Sequence, residues 1–369
     1  MSQASDQLRQ SPLTEITDDC AALSRGAAIL GSGGGGDPYI GRLLAESAVR
    51  DHGPVPVTAL EEVPDDAVVV AVAMMGAPTV MLEKLPSAEQ FAAAVRALAA
   101  YRHITPTHIV CIEIGGVNST SPIVAAAELG LPVVDADGMG RAFPEIQMVL
   151  PTLYGYSAAP MSVADEKGNQ LIVDTIDNTW AERLSRTAVV EMGCSAITAQ
   201  YALSGAELKK SFVPGGLSLC IRLGTAIERA RAKNRDPVVA VADVLGGRIL
   251  GAGKVIDIER RTTAGFARGL AHIASTDGVG DIELSFQNEH LMVTRNGSVE
   301  TTAPDLIIVL DTETGEPITT EALRYGQRVR VVTAPADPRW HSPRAHRLAG
   351  PEYFHYDSAP IRFDGTEAA

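Results

Sequence analysis

Val133-Val134-Asp135-Ala136-Asp137-Gly138-Met139-Gly140-Arg141-Ala142-Phe143-Pro144-Glu145 is the stretch whose reading decides the fold. Residues 131–134 form a short apolar run of strand character. Where the run stops, the chain presents two carboxylates, two glycines, an arginine and a third carboxylate. In open α/β sheets helices cover both faces, so ligands sit outside the carboxyl ends of the strands. The loop is therefore read as the floor of a site.

Two strand-like runs precede it. Residues 67–73 are apolar and partly β-branched and end in Met74-Met75-Gly76-Ala77-Pro78; residues 107–114 lead into Glu113-Ile114-Gly115-Gly116-Val117-Asn118-Ser119. Helical stretches, alanine-rich at 87–102 and short at 122–129, lie between the strands. This alternation predicts parallel pairing with right-handed crossovers. Met75, Gly76, Glu113, Asn118, Asp135 and Asp137 are then expected on one edge of the sheet.

Further upstream, Thr17-Asp18-Asp19 reads as a helix start, and the helix runs to about Leu30. Gly31-Ser32-Gly33-Gly34-Gly35-Gly36-Asp37-Pro38 follows, then a second helix over 39–50. A dinucleotide fingerprint needs its glycines between a strand and a helix, whereas these join helix to helix. The run suits a flexible linker or, the reading favoured here, an anion cradle. Backbone N–H groups of Gly33, Gly34, Gly35 and Gly36, with Asp37 beside them, have no side chains in the way.

Downstream, 161–173 predicts a hairpin turning at Lys167-Gly168-Asn169, near a domain boundary. Asp177 or Asn178 can cap a helix to Met192, which Gly193-Cys194-Ser195-Ala196 interrupts or continues, and 215–233 predicts another long helix. Beyond it, strand-length pieces at 238–241, 253–259, 283–286, 290–295, 305–311 and 327–333 are separated by turn residues. The expected fold is α/β. An N-terminal domain over 13–172 has a mostly parallel sheet flanked by helices, and a C-terminal α+β domain over 173–369 contains a β-rich barrel or sandwich region.

The 369 residues are 46% hydrophobic and 21% charged, enough for a sizeable core. Lys and Arg total 31 against 45 Asp and Glu, a formal charge of -14, which repels a phosphate backbone, so no nucleic-acid partner is expected. The longest apolar run, 67–75, is too short to cross a bilayer, and residues 1–12 are polar. No membrane association and a cytoplasmic location are expected. Cys20, Cys111, Cys194 and Cys220 sit in apolar contexts without CxxC spacing, which suits reduced thiols. The eight histidines include no HxH or HExxH spacing. A homo-oligomer is compatible with this pattern.

Several side chains are candidates for chemistry. Asp135 and Asp137 can converge on one point, where mutual repulsion leaves an acid beside a base. They can equally hold a divalent cation, completed by Glu113 or Glu145, or cap a turn. Glu113 ends a run of buried character and needs a partner, a metal or a shifted pKa. Asn118 can orient a ligand amide or make an Asx turn. Arg141 suits a substrate carboxylate, or an ion pair with Glu145.

The chain resembles the S-methyl thiohydantoin desulfurase family. The matching motifs are Leu30 through Pro38, Met75-Gly76-Ala77-Pro78 with Glu83-Lys84, Glu113 through Asn118, and Asp135 through Glu145; Gln287-Asn288-Glu289, Pro304-Asp305-Leu306-Ile307, Arg324-Tyr325-Gly326 and Gly350-Pro351 extend the likeness. The resemblance implies hydrolysis of an S-methylated thiohydantoin to a hydantoin and methanethiol. Asp135, Asp137 and Glu113 are then the expected catalytic acids, with or without a divalent metal. Gly33, Gly34, Gly35, Gly36, Asp37, Met75, Gly76, Asn118, Arg141 and Glu145 are the expected substrate contacts. Hydrolysis of another cyclic ureide or lactam, and an accessory role beside a hydantoinase, are the alternatives.

Overall fold

The computed structural model describes residues 12–76, 80, 84, 86–263 and 266–363. Residues 1–11, Ala77, Pro78 and Glu83 lie outside them. Among the described residues, nine strands form the first sheet. They are β1 (Glu15–Ile16), β2 (Val55–Ala59), β3 (Val68–Gly76), β4 (His108–Cys111), β5 (Val133–Asp137), β6 (Met161–Ala164), β7 (Gln170–Val173), β8 (Ser195–Ser204) and β9 (Val213–Pro214). Their order is β1-β2-β5-β4-β3-β8-β6-β7, with β9 on β5. The β2-β5-β4-β3 block is parallel, as the strand-helix alternation predicts, and β8 pairs antiparallel with β3.

Both faces of this block are covered, which is why its strands read as continuous apolar runs. Val70 and Val72 face one core, while Val69, Ala71 and Ala73 face the other. Helices α1 (Cys20–Leu30), α2 (Pro38–His52), α3 (Ala88–Arg102) and α4 (Ser121–Leu129) contribute to the first core. The other face is covered in part by the short α5 (Leu150–Leu153), α6 (Asn178–Glu191) and α7 (Gly205–Ser211), and by the tail, whose Trp340 is fully buried. Asp177 caps α6 by accepting from the Trp180 N–H at 2.8 Å.

Two later helices return to the first face, α8 (Gly216–Ala232) and α9 (Pro237–Leu245). The strand expected at 238–241 is thus a helix. Asp236 accepts from the N–H groups of Val238 and Val239, Pro237 opens the first turn, and Gly246 ends it at φ 60°. A short β-branched run cannot be assigned from periodicity alone, and here the caps decide. The segment after Gly193 neither interrupts nor continues a helix but becomes β8, a central strand rich in Ala and Ser.

The second sheet is antiparallel. It holds β10 (Arg248–Thr263), β11 (Phe266–Ser275), β12 (Ile282–Gln287), β13 (Glu289–Arg295), β14 (Ser298–Thr302), β15 (Leu306–Asp311) and β16 (Arg328–Ala334), in the order β14-β13-β12-β11-β10-β16-β15. It curls into a half-barrel around Leu250, Phe286, Val293 and Val331, bringing β13 and β14 beside β15. Among the described residues no helix is long and apolar enough to cross a membrane. A final helix, α10 (Pro343–Ala349), packs in the tail.

Helices α1 and α8 cross backbone to backbone. A Cβ on Gly26 would come 1.8 Å from the Cys220 carbonyl oxygen, and one on Gly224 would come 2.0 Å from that of Ala22. Alanine normally stabilises a helix interior by roughly 1 kcal/mol over glycine. Here the sign reverses. Gly224→Ala is expected to destabilise by about 1–3 kcal/mol, because the crossing must widen. Denaturant unfolding of the variant checks this, and a gain in stability would refute the crossing.

Candidate active site

The carboxyl ends of β3 and β4 and the start of β8 open onto a pocket with an empty volume of about 690 Å³, mouth included. Met75, Gly76, Glu113, Asn118 and Glu145 line it, together with Gly35 and Gly36. The hairpin tip between β12 and β13 supplies Asn288 and Glu289 from the far half of the chain. Asn288 takes φ 58°, a left-handed conformation that asparagine tolerates, and its N–H donates to the Ala267 carbonyl.

The glycine run is shaped by close approach. A Cβ on Gly35 would sit 2.3 Å from the Gly115 Cα, one on Gly116 2.2 Å from the Gly36 carbonyl oxygen, and one on Gly34 2.0 Å from the Glu289 carboxylate. The Gly35 carbonyl accepts from the Val117 N–H at 2.8 Å, and the Gly33 carbonyl from the Thr320 N–H at 3.0 Å. Gly33 and Gly34 therefore face the second sheet, whereas Gly35 and Gly36 reach the pocket. Asp37 caps α2, accepting from the Tyr39 N–H at 2.8 Å.

Two acids dominate the electrostatics. Glu113 accepts from the Asn118 side-chain N–H at 3.1 Å, and the Asn118 oxygen is held in turn by the Met74 N–H at 2.7 Å. Burial pushes the Glu113 carboxyl up to about 7, against that hydrogen bond and with help from the charge of Asp137. Glu289 is 2% exposed, and its Oε2 has no hydrogen-bond partner. Burial raises its pKa well above the carboxylate range, and the charge of Glu113 adds to that. At the rim Glu182 pairs with Arg186, whose guanidinium also donates to the Pro144 carbonyl and stacks over Phe266. Glu145 accepts from the Tyr353 hydroxyl at 2.9 Å.

The remaining expected residues lie behind the pocket. Asp135 receives the Leu217 and Ser218 N–H groups at 2.9 and 3.1 Å, so its charge faces the N-terminus of α8. Asp137 accepts from the N–H groups of Met139 and Gly140, while its Oδ2 is buried without a partner near Gly216. Burial raises its carboxyl to about 7. Arg141 is fully buried and donates to the carbonyls of Ala142, Pro304, Asp305 and His290. Its neighbour His290 is held neutral by burial, pulled down to about 3. Among the described residues no three His, Cys, Asp or Glu side chains converge as a metal site.

Lys84 donates to the carbonyls of Met192 and Ser195, fixing the turn into β8. Glu182, Arg186, Gln200, Asn288 and Glu289 line the pocket without having been singled out for chemistry. Glu289 carried a readable signal, a carboxylate flanked by Phe286, His290 and Leu291 in strand-like sequence. Glu182 and Arg186 are four apart on α6, the spacing of any surface helix pair, which gives no signal of a pocket.

Residues 18–175 match the family described as S-Me-THD-like, N-terminal domain, and residues 176–362 match S-Me-THD-like, C-terminal domain. The chain belongs to the S-Me-THD-like family. The fold is similar to that of an X-ray crystal structure of a protein from Chromobacterium violaceum, 24% identical, with a TM-score of 0.79 over 95% of this chain and 100% of that one. No curated protein matches the chain.

The raised carboxyls link stability to pH. The folded chain holds protons on Glu113 and Asp137 up to about 7, whereas an unfolded chain releases them near ordinary carboxyl values. Stability therefore falls as pH rises from about 5 to about 7 through these groups. Glu113→Gln is expected to flatten that slope in urea unfolding across the window. An unchanged slope would exclude a raised Glu113.

Proposed function

We propose that the pocket hydrolyses an S-methylated thiohydantoin to the hydantoin and methanethiol. The observation that carries this reading is the pair of raised carboxyls, Glu113 and Glu289, on one pocket beside the main chain of Gly35 and Gly36. Family membership supports the substrate class. Groups whose environments hold them in different protonation states near neutral pH make an acid and a base.

In this reading ionised Glu113, oriented by Asn118, takes a proton from water, whose oxygen attacks the electrophilic ring carbon bearing sulfur. Negative charge develops on the ring nitrogen as the C=N bond becomes single. Protonated Glu289 supplies a proton there, and main-chain N–H groups of the glycine loop assist. Collapse of the tetrahedral intermediate breaks the C–S bond as the hydroxyl proton is lost. The thiolate leaves and is protonated to methanethiol. Atoms balance as one water consumed, its oxygen retained on the ring and its two hydrogens shared between ring nitrogen and sulfur.

Thiol release from an S-methyl thiohydantoin, followed with a chromogenic disulfide, tests the reading. The expected result is release matched by hydantoin formation, with kcat/KM rising with pH to a plateau above about 7 as Glu113 ionises. Glu113→Gln is expected to lower kcat by about 10²–10⁴-fold. Ring opening of hydantoin or of an oxoproline-like lactam without thiol release would move the activity to the cyclic ureide class. Silence on all three substrates would favour an accessory role.

A further inference from the structure

Two polar atoms on the pocket wall have no hydrogen-bond partner, Oε2 of Glu289 and Oε1 of Gln200. Glu289 has a place in the reading above. Gln200 does not. It sits on β8, opposite Ala71 of β3, and is 2% exposed. Thr198, two residues earlier on the same strand face, also lines the pocket, and its hydroxyl hydrogen is committed to the Ala73 carbonyl at 3.2 Å. Much of the wall is apolar, with Ala73, Met75, Ile112, Met139, Phe143 and Ile146.

Buried amide oxygens are almost always hydrogen-bonded, so an orphan on a residue that lines a pocket is where a ligand donor fits after a small rotation of the amide. Asn118, which the sequence offered for orienting a ligand amide, is not free for that role. Its oxygen receives the Met74 N–H and its nitrogen donates to Glu113. Gln200 is the pocket amide with an acceptor to give.

We propose that Gln200 is a specificity-determining residue that accepts a hydrogen bond from a ring N–H of the ligand, so that the pocket selects heterocycles with an unsubstituted lactam-type N–H over N-alkylated ones. The identity of the ring rests on the functional reading above; the N–H requirement rests on the orphan oxygen. Sites built to bond a substrate N–H reject analogues that lack it, because the acceptor is then left buried and bare. The opposite orientation of the amide would present NH₂ to a ring carbonyl and would be indifferent to N-alkylation.

Calorimetric titration of the full-length protein with hydantoin, 1-methylhydantoin and 3-methylhydantoin tests this, alongside thiol release from the S-methyl substrate. In the wild type one N-methyl isomer is expected to bind about tenfold or more weakly than hydantoin. In Gln200→Leu, hydantoin weakens and the gap between it and that isomer closes to about twofold. A purely steric rejection of the methyl group would survive in Gln200→Leu and would overturn the proposal, as would equal binding of all three rings to the wild type. Gln200→Met serves as the second variant where thermal melting shows that the leucine variant is unfolded. Failure of every ring to bind, with no thiol released, overturns the functional reading and this inference together. Binding or turnover without N-methyl discrimination overturns this inference alone.

Discussion

The contact on which the site depends is the approach of two main chains, Gly34 to Gly36 against Gly115 and Gly116. With 2.3 Å between a hypothetical Gly35 Cβ and the Gly115 Cα, side chains are excluded on both loops. The composition of the glycine run therefore follows from packing before it follows from ligand binding. The consequence is positional. The loop after α1 rides directly on the loop after β4, so Glu113 and Asn118 lie beside Gly35, and the Glu289 carboxylate rests against Gly34. Burial at that junction lifts both glutamates, so the same close packing that assembles the pocket sets its acid–base character.

Arg141 secures the other side of the junction. Its guanidinium gives its hydrogen bonds to main-chain carbonyls on both sides of the chain's midpoint, Ala142 on one and His290, Pro304 and Asp305 on the other. A buried cation held by dipoles still needs negative potential, and the nearby Asp305 contributes it. Arg141 thereby ties the end of β5 to the hairpin that carries Glu289. Its role is to hold the pocket together, and a substrate carboxylate would have to displace structural carbonyls to reach it. Asp135 is similarly committed to the N-terminus of α8.

Much of this was legible in the chain. The strand-end loops at Gly76, Glu113 and Asp135 follow from the alternation of apolar runs and helical stretches, and the parallel block obeys it. What was not legible depended on long-range partners. The run at 238–241 carries β-branched residues that suit a strand, and only the caps at Asp236 and Gly246 make it helical. The β8 segment is rich in Ala and Ser and shows no strand pattern, because both of its faces are buried. Asp135, Asp137 and Arg141 stood out as chemistry because acids and arginines at a strand end are costly unless used. In the structure all three bond main-chain groups: Asp135 at the N-terminus of α8, Asp137 in the turn at Met139 and Gly140, and Arg141 at four carbonyls. Glu289 is legible as a carboxylate in strand-like sequence, but its place on the pocket, like that of Gln200, depends on strand pairings that no local pattern announces.

The charge state of the pocket constrains what it can receive. Among the described residues that line the pocket the one cation, Arg186, is already paired with Glu182. Were Glu113 and Glu289 both ionised, they would repel any carboxylate or phosphate ligand at close range. Burial disfavours the charged form of both Glu113 and Glu289, so the cavity carries less negative charge than its carboxyls would have in water. Such a pocket suits an uncharged ring. In the proposed reaction the glycine loop would then assist charge that develops on the ring rather than bind a preformed anion, which is the distinction between stabilising a transition state and holding a ground state.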